Sequence, residues 1–491
     1  MVSNKWLLLL ILLLGFTLRF GINSEQGQFS SPEDYYVLRH INSIQQEGEP
    51  IFNDELSYGG RVTPVLPFYF YILSSATLIG NWFAFVVLPA ILATLIGIAV
   101  YLFAANVTSS YLLAVFSAYI ALFLPAFFRI SVRTITPIYF GIVILFFCLW
   151  LFVKVEKTKA ALPWLVIFSV LLALSSHLIF LLIMMGWVYV GLLRVQGIRI
   201  HEKSFEYLIF TTIFGFVIQN LIYLGSSISK GPLGFIINVP KEMMINKVPW
   251  AELFGGIGLL VVVLGVYGVY LAIQQDTKKR EATWLLTITA TTTICGFLGF
   301  LTINSAFSIL GTALAIASVY SLEGIAKYIR RFKMPTKVIS FLLVFLLLVP
   351  LFISAIAEGS RVGANQVSVE DIRAMNWLKA NSPEGSTIFG PVETGHLISG
   401  IARRKNIADT NFLYAPDVTK RLEDLKKAYQ SPYVTPSLDI FEKYNVSYII
   451  IDEIAKRDYN LSSLFQTNSC FELVFEDSIY EVKCGLKSIN G

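Results

Sequence analysis

The run Ser31-Pro32-Glu33-Asp34-Tyr35-Tyr36-Val37-Leu38-Arg39-His40 contains the residue types in this chain best suited to carry a reaction. Two adjacent carboxylates can supply a general base, and an arginine a few residues on can bind a phosphate. Glu33 and Asp34 are therefore the candidate catalytic acids, and Arg39 is a candidate phosphate ligand. The same residues also suit the first turn of a capped helix, where proline is tolerated and acidic groups are favoured. Downstream, Asp54, Glu55, Tyr58 and the pair Gly59-Gly60 before Arg61 add polar groups to the same segment. Arg129 and Arg133 lie in a second polar stretch, Arg129–Pro137, that holds no carboxylate. Glu242, His396 after Gly395, and Arg403 of the pair Arg403-Arg404 are further candidates for contact with an acceptor or a phosphate.

Those residues need elements to hold them, and composition says what the elements are. Of 491 residues, 55% are hydrophobic and 14% charged, with a mean hydropathy of +0.66. Soluble domains carry about 25% charged residues, so most of this chain must hide its surface in lipid. A span needs about 20 apolar residues. Such runs lie near Trp6–Phe20, Trp82–Ala104, Tyr111–Phe128, Pro137–Val153, Leu162–Ser175 and Leu178–Leu193. Others lie near Phe205–Leu224, Leu253–Ile273, Ala282–Leu301, Ser305–Tyr320 and Val338–Ile356. The pattern predicts a polytopic α-helical membrane protein of about eleven transmembrane helices, up to thirteen. The stretch Pro64–Ile79, with two prolines and four aromatics, reads as an interfacial or re-entrant lead-in.

Charge placement tests that reading. With Pro64–Ile79 left out, the basic connectors Lys154–Lys159, Arg194–Lys203, Lys278–Arg280 and Lys327–Lys337 all fall on one side, together with Lys5. By the positive-inside rule that side is cytoplasmic. The N-terminus is then cytoplasmic, and an odd number of spans leaves residues 358–491 outside, as a soluble mixed α/β domain. Residues 1–357 form the multi-pass domain, with a 43-residue outer loop at 21–63. So long a loop among short connectors is more often functional than idle. Cys470 and Cys484 bracket an alternating segment that reads as a hairpin, which a disulfide can close in an oxidising exterior. No Walker-type or dinucleotide glycine motif is present on the cytoplasmic side, and no nucleic-acid partner is expected. A reaction on the outer face therefore needs a donor presented from the membrane itself.

The run Glu33-Asp34-Tyr35-Tyr36-Val37-Leu38-Arg39, then Gly48, Gly59-Gly60-Arg61, Pro64 and Pro67, resembles the first outer loop of oligosaccharyltransferase catalytic subunits, the archaeal single-subunit ones above all. Those are GT-C membrane glycosyltransferases, which take sugars from polyprenyl (dolichol-type) phosphate or diphosphate carriers. The family has an aspartate six residues before an arginine, and the resemblance implies that Glu33 takes that place, with Asp34 as its competitor. Trp377-Leu378-Lys379-Ala380-Asn381-Ser382-Pro383, then Gly395-His396-Leu397-Ile398 and Ala408-Asp409, is similar to the family's outer domain. Where the family has a Trp-Trp-Asp-Tyr-Gly acceptor-recognition run, this chain reads Pro391-Val392-Glu393-Thr394-Gly395.

The resemblance implies an inverting glycosyltransferase of the cell membrane, with a polyprenyl-linked sugar donor, membrane lipid and a glycan or protein acceptor as partners. The donor phosphate would lie near Arg39, Arg129 or Arg133, and Asp54, Arg61, Glu242, His396 and Arg403 would supply secondary or acceptor contacts. A divalent cation, Mg²⁺ or Mn²⁺, is the cofactor that the family raises, with Glu33 as its one assignable ligand. Because Arg129–Pro137 lacks the family's second acidic pair, the two arginines can take over the neutralisation of the phosphate. Two other readings stand beside this one. The first is a non-catalytic relative that binds lipid-linked glycans or acts as a scaffold. The second is a transporter, which the scarcity of ionisable residues inside the spans disfavours.

Overall fold

The computed structural model describes residues 2–25, 29–108, 110–230, 250–275, 279–331, 336–364, 367–412 and 415–485. They divide into two compact units. The first is a helical unit from residues 1–27, 66–221 and 244–364, and the second is an α/β unit from residues 28–65, 222–243 and 365–491. The first loop thus groups with the C-terminal residues, not with the helices that flank it in sequence.

Among the described residues, six helices are long and apolar enough to cross a membrane: Trp6–Ser24, Phe83–Val107, Ile138–Val155, Leu178–Val195, Glu202–Ile222 and Ile303–Ile329. Shorter apolar helices run Tyr111–Leu122, Lys159–Ser175 and Leu259–Ile273. The chain is a polytopic helical membrane protein. The stretch at Pro64–Ile79 holds one helix, Phe68–Thr77, of ten residues. At 1.5 Å per residue it reaches about 15 Å, roughly half the hydrocarbon thickness.

Two ends of the helical unit can be told apart by their polar contacts. At one end the basic connectors meet: Lys157 pairs with Glu281 at 3.0 Å, and Arg280 with Glu156 at 3.6 Å. Arg280 also donates to the Arg199 carbonyl at 2.7 Å. Three of the four connectors expected on one side therefore touch one another. At the other end Arg129 pairs with Glu358 at 2.8 Å. There Arg133 donates to the Ile22 carbonyl at 3.0 Å and to Glu25 at 2.9 Å.

The expected span Tyr111–Phe128 is broken. The helix stops at Leu122, and a short helix, Pro125–Arg129, follows. Pro125 has no N–H to continue the ladder. The Leu122 carbonyl is met instead by Arg19, which donates to it at 2.7 Å and to Ser131 Oγ at 3.1 Å. Close packing elsewhere depends on small residues. A Cβ on Gly268 would come within 2.0 Å of the Ala317 carbonyl oxygen, so helix Leu259–Ile273 can lie against Ile303–Arg331 only with glycine there.

In the α/β unit, α1 (Pro32–Glu47) is followed by a two-stranded hairpin, β1 (Asn53–Asp54) and β2 (Arg61–Val62). Then come α2 (Val369–Asn381), β3 (Thr387–Phe389), the single turn α3 (Gly395–Leu397), β4 (Lys405–Asn406), α4 (Val418–Gln430) and α5 (Val434–Lys443). The chain finishes with β5 (Val446–Ile450), α6 (Glu453–Asp458), α7 (Leu464–Thr467), β6 (Phe471–Phe475) and β7 (Ile479–Val482). The sheet order is β4-β3-β5-β7-β6, with β3 parallel to β4 and β5 and the other pairs antiparallel. A disulfide joins Cys470 to Cys484 across the β6–β7 hairpin.

Alternation along the strands gives the sheet two covered faces. Phe389 and Ile449 pack with Tyr429 of α4 and Phe441 of α5. Ile388, Tyr448 and Ile450 pack with Leu378 of α2, Leu397 of α3 and Tyr35 of α1. Tyr35 thereby plants the first-loop helix on the sheet, which sets where Glu33 can be.

Asp452 caps α6, accepting from Ala455 N at 2.7 Å and from the Thr394 hydroxyl at 2.6 Å. Burial pushes its carboxyl up to about 6, although both hydrogen bonds pull the other way, and Asp371 and Glu393 add to the rise. An acid raised on folding contributes stability that is full below its ordinary value of 3.8 and is lost as pH rises through about 6. Asp452→Asn is expected to flatten that part of the pH dependence. Thermal unfolding midpoints of both proteins from about pH 4 to about pH 7 would check it, and parallel curves would refute it.

Candidate active site

The start of α1 separates the two neighbouring carboxylates. Ser31 is the N-cap, its hydroxyl accepting from Glu33 N at 3.2 Å, while the Asp34 carboxylate accepts from Ser31 N at 3.2 Å. This reciprocal capping box uses Asp34 for the backbone, and its side chain is fully buried. Glu33, one residue earlier, turns elsewhere. Its carboxylate accepts from the Ser31 hydroxyl. It also accepts from the Thr410 hydroxyl at 2.9 Å.

Thr410 opens a polar network. His396 Nε2 lies 3.1 Å from the Thr410 hydroxyl and 3.9 Å from Asp409 Oδ1. Asp409 accepts from the Ser57 hydroxyl at 2.6 Å, from Arg61 Nη2 at 3.1 Å, from Asn406 Nδ2 at 3.2 Å and from Asn411 N at 3.0 Å. Burial raises its carboxyl. The positive ends of His396 and Arg61 and the Ser57 and Asn406 hydrogen bonds outweigh that, so it sits below the usual carboxylate range. Its side chain is 1% exposed and that of Arg61 2%. Gly395 is required beside His396, because a Cβ there would come within 2.1 Å of the Ala408 carbonyl oxygen.

The first loop is stitched to this network by its backbone as well. Asn406 N donates to the Leu56 carbonyl at 2.8 Å, and Tyr58 N to Asn406 Oδ1 at 3.0 Å. Tyr58, at φ 54°, turns the chain in the left-handed region ahead of Gly59 and Gly60. Its hydroxyl donates to the Asp409 carbonyl at 2.6 Å, and the guanidinium carbons of Arg61 and Arg421 lie 4.9 and 5.6 Å from its ring centre. Tyr36 sits with ring centres 4.3 Å from His40 and 5.3 Å from His396. Burial, with Arg39, His396 and Arg61 around it, pushes His40 down to about 3. It is neutral at physiological pH, and its Nδ1 accepts from Ile51 N at 3.1 Å.

The structure brings Glu33, Arg61 and His396 into one network. Arg39 is held apart from it by a bidentate pair with Asp54, at 2.8 and 2.7 Å. Asp54 Oδ1 in turn accepts from Leu56 N at 3.0 Å and Ser57 N at 3.2 Å. Arg129 and Arg133 belong to the helical unit, where Arg129 also reaches Asn304 Oδ1 at 3.3 Å. Arg403 is exposed at φ 55°, while its neighbour Arg404 is buried and donates to Ser382 and to the Lys379 carbonyl. Glu242 lies outside the described residues. Asp409, Thr410, Ser57 and Asn406 were not expected as site residues. The one local signal for them is the polar run Asp409-Thr410-Asn411 directly behind the apolar pair Ile407-Ala408.

A divalent cation does not fit the donors that the described residues offer. A hard ion takes six or more oxygens, commonly with one or two carboxylates among them. Among the described residues no three His, Cys, Asp or Glu side chains gather closely enough to hold one. Asp34 is spent on the cap, and Arg129–Pro137 has no carboxylate.

No protein-family model matches the sequence, and no curated protein matches it at the sequence level. Solved structures do match in three dimensions. The archaeal oligosaccharyltransferase AglB from Archaeoglobus fulgidus, in complex with an inhibitory peptide and a dolichol-phosphate, superposes with a TM-score of 0.73 at 15% identity. That match covers 92% of this chain and 70% of AglB. The same oligosaccharyltransferase in complex with Zn and sulfate gives 0.66 at 17% identity, over 90% of this chain and 67% of the other. ArnT from Cupriavidus metallidurans bound to undecaprenyl phosphate gives 0.57 at 12% identity, over 97% and 98% of the two chains. The chain therefore has the fold of these archaeal oligosaccharyltransferase and ArnT structures.

Proposed function

We propose that this protein is a membrane glycosyltransferase. It moves a sugar or oligosaccharide from a polyprenyl phosphate or diphosphate carrier to an acceptor at the outer membrane face. The observation that carries the reading is the division of labour at α1. Asp34 caps the helix, and Glu33, which the sequence resemblance sets at the place of the oligosaccharyltransferase catalytic acid, directs its carboxylate to a threonine 377 residues away. The shared fold supports it, since the matching structures hold dolichol-phosphate or undecaprenyl phosphate.

In this reading Glu33 takes the proton of an acceptor hydroxyl or polarises an acceptor amide. The acceptor attacks the anomeric carbon from the face opposite the phosphate, and the configuration inverts. Arginines carry the charge of the departing phosphate, as a bidentate, permanently charged group can. Arg129 suits this best of the three expected, because its guanidinium is the most exposed of them, at 36%. All three are held by a carboxylate, Arg129 by Glu358, and Arg133 by a carbonyl as well. The N-terminus is cytoplasmic and the α/β unit extracytoplasmic, a topology supported by the meeting of the basic connectors.

The test is transfer of radiolabelled sugar from polyprenyl-linked donors by the purified protein, with and without chelator. Transfer that survives chelation is expected. Loss on chelation would overturn the arginine-based neutralisation and leave the glycosyltransferase standing. Absence of transfer from monophosphate and diphosphate donors alike would favour a binding or scaffold relative, a reading that the pairing of all three arginines with carboxylates already supports.

A further inference from the structure

We infer that Thr410 and His396 are positioning residues for Glu33, forming a one-way hydrogen-bond chain that aims and holds its carboxylate. The inference rests on the reading of Glu33 as the base. A threonine hydroxyl has one hydrogen to give. The ionised Glu33 carboxylate is an acceptor only, so the contact at 2.9 Å takes that hydrogen. The second contact of the same oxygen, 3.1 Å from His396 Nε2, must then be one in which the imidazole donates. The chain runs from His396 Nε2–H to the Thr410 hydroxyl and on to Glu33 Oε1.

The surroundings of His396 agree with a fixed orientation. Its side chain is 2% exposed, and its Nδ1 is buried with no hydrogen-bond partner among the described residues. Tyr36 packs against the ring. Asp409, 3.9 Å from Nε2, favours a hydrogen on that nitrogen and not a lone pair. Donors in series polarise one another, so the hydrogen bond that reaches Glu33 is stronger than an isolated threonine would give. Thr410 holds Oε1, and Oε2, which accepts from the Ser31 hydroxyl, is the oxygen left to face an acceptor. Neither Thr410 nor His396 needs to touch substrate for this.

Two measurements on the full-length protein test it. The first compares transfer by the wild type, Thr410→Val and Thr410→Ser. The valine variant keeps the shape and loses the hydroxyl. Its kcat is expected to fall about 10- to 100-fold, the worth of one hydrogen bond to a charged group, with KM unchanged and with serine restoring the rate. An unchanged kcat in Thr410→Val, or a loss that serine does not restore, would overturn the inference. The second does not need activity. The chain has four histidines, so ¹⁵N-labelled imidazole signals can be assigned with His396→Asn as the blank. A protonated Nε2 whose signal shifts in Thr410→Val supports the chain, and a His396 protonated on Nδ1 alone refutes it. If the wild type transfers no sugar, the glycosyltransferase reading fails, and the imidazole signals still decide whether the chain exists.

Discussion

Glu33→Gln is expected to lower sugar transfer by about 10²–10⁴-fold, the usual worth of a general base, while the fold stays intact. The reason for an intact fold is local. The cap of α1 is made by Ser31 and Asp34, and the Ser31 hydroxyl accepts from the backbone N–H of Glu33 whatever its side chain. Glutamine at this position keeps an oxygen for the Thr410 hydroxyl, turns its amide N–H to the Ser31 hydroxyl, and removes the basicity. Asp34→Asn is the contrasting variant. It weakens a capping box whose loss costs about 1 kcal/mol, so it should lower thermal stability modestly and leave turnover nearly unchanged. The pair of variants separates base from cap. Full activity in Glu33→Gln together with loss in Asp34→Asn would move the catalytic role one residue along. Full activity in both would remove it from this segment altogether.

Much of this arrangement was legible in the sequence, for physical reasons that differ from element to element. The helices follow from apolar runs long enough for a bilayer, and some end where a charge returns, as at Glu25 and Glu156. The capped-helix reading of Pro32-Glu33-Asp34 holds, with Ser31 and Asp34 making the cap and Glu33 meeting Thr410. The break before Pro125 is visible in hindsight, whereas the arginine that meets the freed carbonyl, Arg19, comes from another helix. The network around Asp409 was not legible. Its partners Ser57, Arg61 and His396 come from two segments more than 330 residues apart along the chain, and no local periodicity encodes such a pairing. For the same reason the first loop reads as part of the membrane domain in sequence and groups with the C-terminal sheet in space. Tyr35, Asn406 and Tyr58 tie it there through one apolar contact and two backbone hydrogen bonds, none of which has a sequence signature.

The buried pair of Arg61 and Asp409 is a further tie, and breaking it should have a large effect on the stability of the α/β unit. Asp409→Asn is expected to cost about 3–5 kcal/mol, because it leaves a buried guanidinium without its counter-charge. Arg61→Met is expected to cost a similar amount, since it strands a carboxylate that is 1% exposed. The double variant removes both charges, so its cost should fall short of the sum by about 1–3 kcal/mol. Amide hydrogen exchange over 54–62 and 395–412 reads this directly, because the pair joins those two segments. Loss of protection in both segments together, in either single variant, is the expected pattern. Additive costs, to within about 0.5 kcal/mol, would show that the two charges do not stabilise one another. pH gives an independent sign. Asp409 lies below the ordinary carboxylate range in the folded protein, so its contribution is present above that range and is lost as pH falls through it. Acid should therefore loosen the contact between the first loop and the sheet in the wild type, and Asp409→Asn should remove that part of the acid sensitivity. The same acidification favours Asp452. The two carboxyl groups thus pull the unit's stability in opposite directions, and only the difference between each variant and the wild type isolates either one.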